Sequence, residues 1–129
     1  MKLKKIFKKN ASLFVLGVLL LTPTVSNAQS KYVSLTMYQK SASAQALCPF
    51  ATIKGGAMNG GEGIDYEIST APNTLIKHWT VARSGSCKAN TSFSYTYYGD
   101  GYGWSGNVKL KESQHNTSKP GIGWGRIDY

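Results

Sequence analysis

Asp65 and Glu67 stand two residues apart in a run, Ile64 to Ile68, that alternates apolar and polar residues. On a strand this spacing puts both carboxylates on one face, their backbones roughly 6 to 7 Å apart at a rise of about 3.3 Å per residue. Two carboxylates so placed would suit a glycosidase, in which one holds a proton while the other stays ionised. A solvated strand face has the same pattern, and that is the expectation taken forward. Glu62 adds acidity without the ligand spacing of a calcium loop. His78 and His115 are 37 residues apart with no acidic or Cys partner close in sequence, so only the fold could assemble a metal site from them. The text contains no G-x-S-x-G, H-E-x-x-H, Walker A or dinucleotide fingerprint, and Gly103-Trp104-Ser105-Gly106-Asn107 lacks the final Gly of a nucleophile elbow. The expectation is a non-enzymatic protein with no catalytic residue, no metal and no cofactor, and a small hydrolase as the alternative.

Cys48 and Cys87 are the two cysteines. In an oxidising compartment an even number predicts one intramolecular disulfide. Closing a loop of about 40 residues would add roughly 4 kcal/mol in the chain-entropy model. No flanking sequence marks either as a catalytic thiol paired with His78 or His115.

Aromatic residues supply the other candidate chemistry. Eight of the 13 aromatics beyond residue 28 fall in the last 37 positions, among them Tyr97, Tyr98, Tyr102, Trp104, Trp124 and Tyr129. Alternation cannot put both Tyr97 and Tyr98 on one face, so some of these rings are expected at the surface. Flat aromatic faces stack on sugars, and amphipathic rings settle at membrane interfaces. The candidate binding surface is Trp79, Tyr98, Tyr102, Trp104 and Trp124 together with Lys109 and Lys111.

The elements that would hold these residues have a period of two. Val33, Leu35 and Met37 alternate with Ser34, Thr36 and Tyr38. Similar runs lie at 64–69, 75–83, 93–98, 108–111 and 122–129, with a short strand around 47–53. Turn chemistry separates them: Gly55-Gly56, Asn59-Gly60-Gly61, Ala71-Pro72-Asn73, Ser84-Gly85-Ser86, Gly99-Asp100-Gly101 and Lys119-Pro120-Gly121. The stretch Tyr98 to Tyr102 has the Asp-Gly signature of a hairpin. Lys40 to Leu47 is the one segment expected to hold a helical turn. Together these predict an all-β domain, a small antiparallel sandwich or barrel of about seven short strands.

Residues 1–28 read as a cleavable signal peptide. Five lysines precede an apolar run, Ala11 to Leu21, followed by Pro23 and the small-residue site Ser26-Asn27-Ala28. The run is shorter than the roughly 18 to 20 residues of a permanent span. The predicted organisation is therefore a signal at 1–28, a helix, and a single β-rich domain at 29–129 with no stable span after removal of the signal. The leader carries five of the 15 basic residues and none of the six acidic ones, so the overall +9 falls to +4 for residues 29–129. Scattered basic residues argue against nucleic-acid binding and are compatible with anionic envelope polymers.

The chain is thus expected to be secreted, to act extracellularly, and to bind or antagonise a bacterial cell envelope. In broad character it resembles the small exported all-β bacteriocins of Gram-positive bacteria, without a shared diagnostic motif. A carbohydrate-binding or adhesive module, and an inhibitor of an extracellular hydrolase presenting a Gly-rich loop, are the alternative expectations.

Overall fold

The computed structural model describes residues 28–58, 60–73, 78–99 and 104–129. The expected signal peptide, apart from Ala28, lies outside these residues, as do Leu75, Asp100, Gly101 and Tyr102. Eight strands follow one another: β1 (Ser30–Leu35), β2 (Ser41–Cys48), β3 (Ala51–Ala57), β4 (Ile64–Pro72), β5 (Thr80–Cys87), β6 (Ser92–Tyr97), β7 (Gly106–Gln114) and β8 (Gly123–Asp128). They form two antiparallel four-stranded sheets, ordered β1-β8-β3-β6 and β2-β7-β4-β5. The all-β expectation holds, as a sandwich and not a barrel. Successive strands alternate between the sheets, except for the β4–β5 pair, and this order is that of a jelly roll. Among the described residues no helix is long and apolar enough to cross a membrane.

Period-two patterning selects the inner faces. Val33 and Leu35 of β1, Ile53 of β3, Ile64 and Ile68 of β4, Val108 and Leu110 of β7 and Ile127 of β8 are buried between the sheets. Each such side chain contributes about 1.5–3 kcal/mol relative to exposure. Lys109, Lys111, Trp124 and Arg126 occupy the intervening outward positions. Toward the side formed by β4 and β6, Tyr66 and Phe93 stack with ring centroids 3.8 Å apart and planes 12° from parallel. β1 lies beside β8, and Gln29 and Tyr129 exchange two backbone hydrogen bonds of 2.8 and 2.9 Å just beyond the paired strands.

Several expectations are corrected. Residues 41–48 form strand β2 and not a helical turn: its alanines alternate inward, and burial against the facing sheet outweighs alanine's helical preference. The strand expected at 47–53 is two strands in different sheets, separated at Pro49-Phe50. Gly55-Gly56 and Ser84-Gly85-Ser86, expected as turns, lie inside β3 and β5. Gly55 leaves room for the Phe93 ring, which a Cβ would approach to 2.6 Å, and Gly85 leaves room for Tyr66. The strands flanking Tyr98 to Tyr102, β6 and β7, belong to different sheets and do not pair as the expected hairpin requires.

Residues 75–77 of the strand expected at 75–83 lie outside the described residues, and from Thr80 the chain forms β5. It is an edge strand whose Val81 is exposed, so it has no single apolar face to bury. A register shift opposite Ile68/Ser69 bulges it at Ala82.

The Cys48–Cys87 disulfide is also corrected. Both residues are free thiols. Cys48 lies in one cross-strand row with Gly106 and Pro72, and Cys87 in another with Ile64 and Gln114. The rows are eight residues apart along β7, and the two cysteines sit on the opposite edge strands of the sheet. At about 3.3 Å per residue and about 4.8 Å per strand, their separation is roughly 25 to 30 Å. A disulfide needs Cα atoms within about 7 Å.

Candidate binding site at the aromatic end of the sandwich

The row containing Cys48, Gly106 and Pro72 marks one end of the sandwich. β2 leaves its sheet there through Pro49-Phe50, and β6 ends at Tyr97, paired with Ala51. The connections bring Leu47, Phe50, Tyr98 and Trp104 to this end, and all four are exposed, Trp104 to 71% and Tyr98 to 69%. Phe50 and Tyr98 meet edge to face at 5.7 Å. Gly99, at φ +66°, lies so close to the carbonyls of Pro49 and Trp104 that a Cβ there would come within 2.8 Å of both. A cavity of about 590 Å³ opens beside these rings, lined by Thr70, Pro72, Asn73, Tyr97, Trp104 and Ser105 among others.

The structure brings Tyr98 and Trp104, two of the sequence-predicted surface residues, to this end. Their neighbours Phe50 and Leu47 escaped the sequence reading, since both sit in what read as one short strand around 47–53. Tyr97 is buried while Tyr98 is exposed, as alternation required. Tyr102 lies outside the described residues, and the remaining predicted residues lie elsewhere. Trp79 and Lys109 meet on the outer face of the β2-β7-β4-β5 sheet, with the Lys109 Nζ 4.4 Å from the indole centroid. Lys111 lies on the same outer face, two residues along β7. Trp124 lies on the outer face of the other sheet, near Met58 and Thr91.

Asp65 and Glu67 share the outer face of β4, as their spacing implied, and form a hydrogen-bonded network. His115 Nδ1 is 2.8 Å from Asp65 Oδ1, and the Ser86 hydroxyl donates to the same oxygen. Ser69 donates to Glu67 at 2.9 Å, while Asn116 and Lys119 engage Glu62. In a nucleophilic triad the imidazole stands between acid and hydroxyl. Here the carboxylate stands in the middle, so His115 has no path to the Ser86 proton. Burial raises the Asp65 pKa, but hydrogen bonds from Ser86 and His115 outweigh it and hold the carboxyl below its usual range. Among the described residues no group of three or more His, Cys, Asp or Glu side chains is placed to hold a metal ion.

Both thiols are buried. Burial pushes both Cys48 and Cys87 up, against the opposing hydrogen bonds of the Phe50 backbone and of Thr91. Glu112, which sequence reasoning passed over, is fully buried. Neither carboxylate oxygen has a hydrogen-bond partner, and burial alone lifts its pKa to about 7. A signal was present: Glu112 continues the inward phase of Val108 and Leu110.

No protein-family model matches the chain, and no curated protein does. Among solved structures, it is similar to a crystal structure of PirA, with a TM-score of 0.43 and 9% identity over 83% of this chain and 96% of that one. It is also similar to the Yersinia pseudotuberculosis-derived mitogen, YPM, with a TM-score of 0.44 and 7% identity over 81% of this chain and 86% of that one. No functional residue is carried over from either.

Proposed function

We propose that the protein is a secreted, non-enzymatic binding protein that engages a bacterial cell envelope through the aromatic end of its sandwich. The observation supporting this reading is the grouping of Leu47, Phe50, Tyr98 and Trp104, all exposed, at one end of the sandwich. Exposed rings with polar tips suit the boundary between lipid headgroups and acyl chains, where Trp and Tyr are enriched. The net +4 of residues 29–129 adds attraction to anionic surfaces over a Debye length of about 10 Å at 0.1 M salt. The Asp65 and Glu67 carboxylates are each engaged by neighbouring side chains, as on a solvated strand face. A glycan ligand is the second reading, favoured by the cavity beside Trp104, where an indole meets the hydroxyl and amide groups of Thr70, Asn73 and Ser105.

The purified protein would be sedimented with anionic phosphatidylglycerol vesicles, with purified cell walls, and with insoluble polysaccharides. Trp104→Ala and Phe50→Ala are each expected to weaken vesicle and wall binding at least fivefold without lowering thermal stability, since both rings are exposed. Wild-type protein that sediments with none of these, or variants that bind as wild type does, would overturn the reading. Trp104-dependent binding to polysaccharide alone would replace it with the glycan reading.

A further inference from the structure

Glu112 stands near the middle of the sandwich, on β7, a central strand of one sheet, directly against β8, a central strand of the other. The facing positions on β8 are Gly123 and Gly125, and a Cβ at either would run into the Glu112 carboxyl oxygens. The opposing strand is thus cut back to the backbone where the acid needs space. Around it lie Ala42 of β2, Tyr66 of β4 and the Leu35 and Leu110 side chains. The titratable groups facing it are the Tyr66 phenol and the Cys87 thiol, neither of them a cation. The nearby basic side chains point elsewhere: Lys109 and Lys111 project outward from β7, Arg126 pairs with Asp128, and His115 meets Asp65 at the surface. An ionised carboxylate in this position has neither a hydrogen bond nor a counter-charge, a state that costs several kcal/mol for a buried ion.

We propose that Glu112 is a proton-operated latch between the two sheets: protonated, it lets β7 and β8 close over it, and ionised, it drives that seam open. Its pKa, lifted from 4.5 to about 7 by burial, sets the window. Between those values the folded chain holds the proton and the unfolded chain does not. The closed form is therefore favoured below the window and loses ground as pH rises through it. The 2.5-unit lift corresponds to a change of about 300-fold in the closed-to-open equilibrium. An open seam would present Leu35, Ile64 and Leu110 at neutral and alkaline pH and withdraw them in acid. This device is independent of the envelope reading, since it concerns the inward faces of β7 and β8, not the aromatic end, and needs no ligand.

The test is amide hydrogen exchange of the full chain at pH 5, 6, 7 and 8, corrected for intrinsic exchange rates, on wild type, Glu112→Gln and Glu112→Leu. In parallel, carboxyl-labelled glutamate would be followed by NMR; the chain has only three, Glu62, Glu67 and Glu112. Protection of the β7 and β8 amides in wild type is expected to fall about 70-fold between pH 5 and 8. One labelled carboxyl should titrate near neutrality. Both variants should show flat protection and lack that resonance; Glu112→Leu serves if the amide variant fails to fold. A flat wild-type profile, an equal slope in either folded variant, or three carboxyls all titrating below pH 5 would overturn the proposal. The vesicle assay of Trp104→Ala reads the binding proposal separately, so either can fail alone.

Discussion

Treatment with a thiol reductant is expected to leave thermal unfolding unchanged, because Cys48 and Cys87 occupy diagonal corners of the β2-β7-β4-β5 sheet. The register gives a separation of roughly 25 to 30 Å, about four times the span a disulfide tolerates. Had the two been joined, the loop of about 40 residues would contribute roughly 4 kcal/mol. For a domain of this size, about 4–8 °C per kcal/mol makes that roughly 15 to 30 °C of melting temperature. Reductant should therefore separate the two possibilities with a wide margin. The assay is a pair of melts monitored by circular dichroism, with and without reductant, beside a thiol count. Two titratable thiols are expected in denaturant and far slower reaction in the native state, because both sulfurs are buried and their pKa values raised. A reductant-induced drop of 10 °C or more, or no free thiol in denaturant, would refute the strand register that separates them.

Two further outcomes follow from particular contacts. Gly125→Ala would push a methyl into Glu112 Oε1 and to 2.6 Å from Leu110 Cδ2; it should cost about 1–3 kcal/mol, read as a lower denaturation midpoint. Asp65→Asn removes the partner of His115 and Ser86 in a half-exposed pair, so it should cost about 1 kcal/mol or less at pH 7. Because the Asp65 pKa is lowered on folding, its contribution is present above about 3.8 and is lost as pH falls through the folded value. Wild type and variant should therefore converge in acid denaturation curves.

Strand faces were readable wherever apolar and polar residues alternated with contrast: Val33 and Leu35, Ile64 and Ile68, and Val108 and Leu110 all point inward as read. Contrast was missing in Ser41 to Ala46, where alanine and serine differ little in hydropathy, and a strand read as a helical turn. Glycine misled in the opposite way. Gly55 and Gly85 read as turn formers, yet they lie in strands because Phe93 and Tyr66 need the volume a side chain would fill. Pairing between distant strands was illegible in principle, and that is why the cysteines were joined and the Tyr98 to Tyr102 hairpin was expected. At the candidate site, Tyr98 and Trp104 were recoverable from alternation and glycine content. Phe50 was not, since only the crossing at Pro49 turns it outward.

The pairing of β1 with β8 bears on when this molecule acquires its shape. The sheet containing β1 cannot be completed until residues 123–129 are available, so the chain has no complete sandwich while those residues remain inside a ribosome or a translocation channel. Nearly all of its pairings join segments far apart in sequence, which slows folding relative to locally paired chains. A slow, late-closing topology keeps the polypeptide threadable during the proposed export and moves folding to the far side of the membrane. There, the exchange between Gln29 and Tyr129 would be among the last hydrogen bonds to form. Removing residues 123–129 should yield a chain that crosses and never folds.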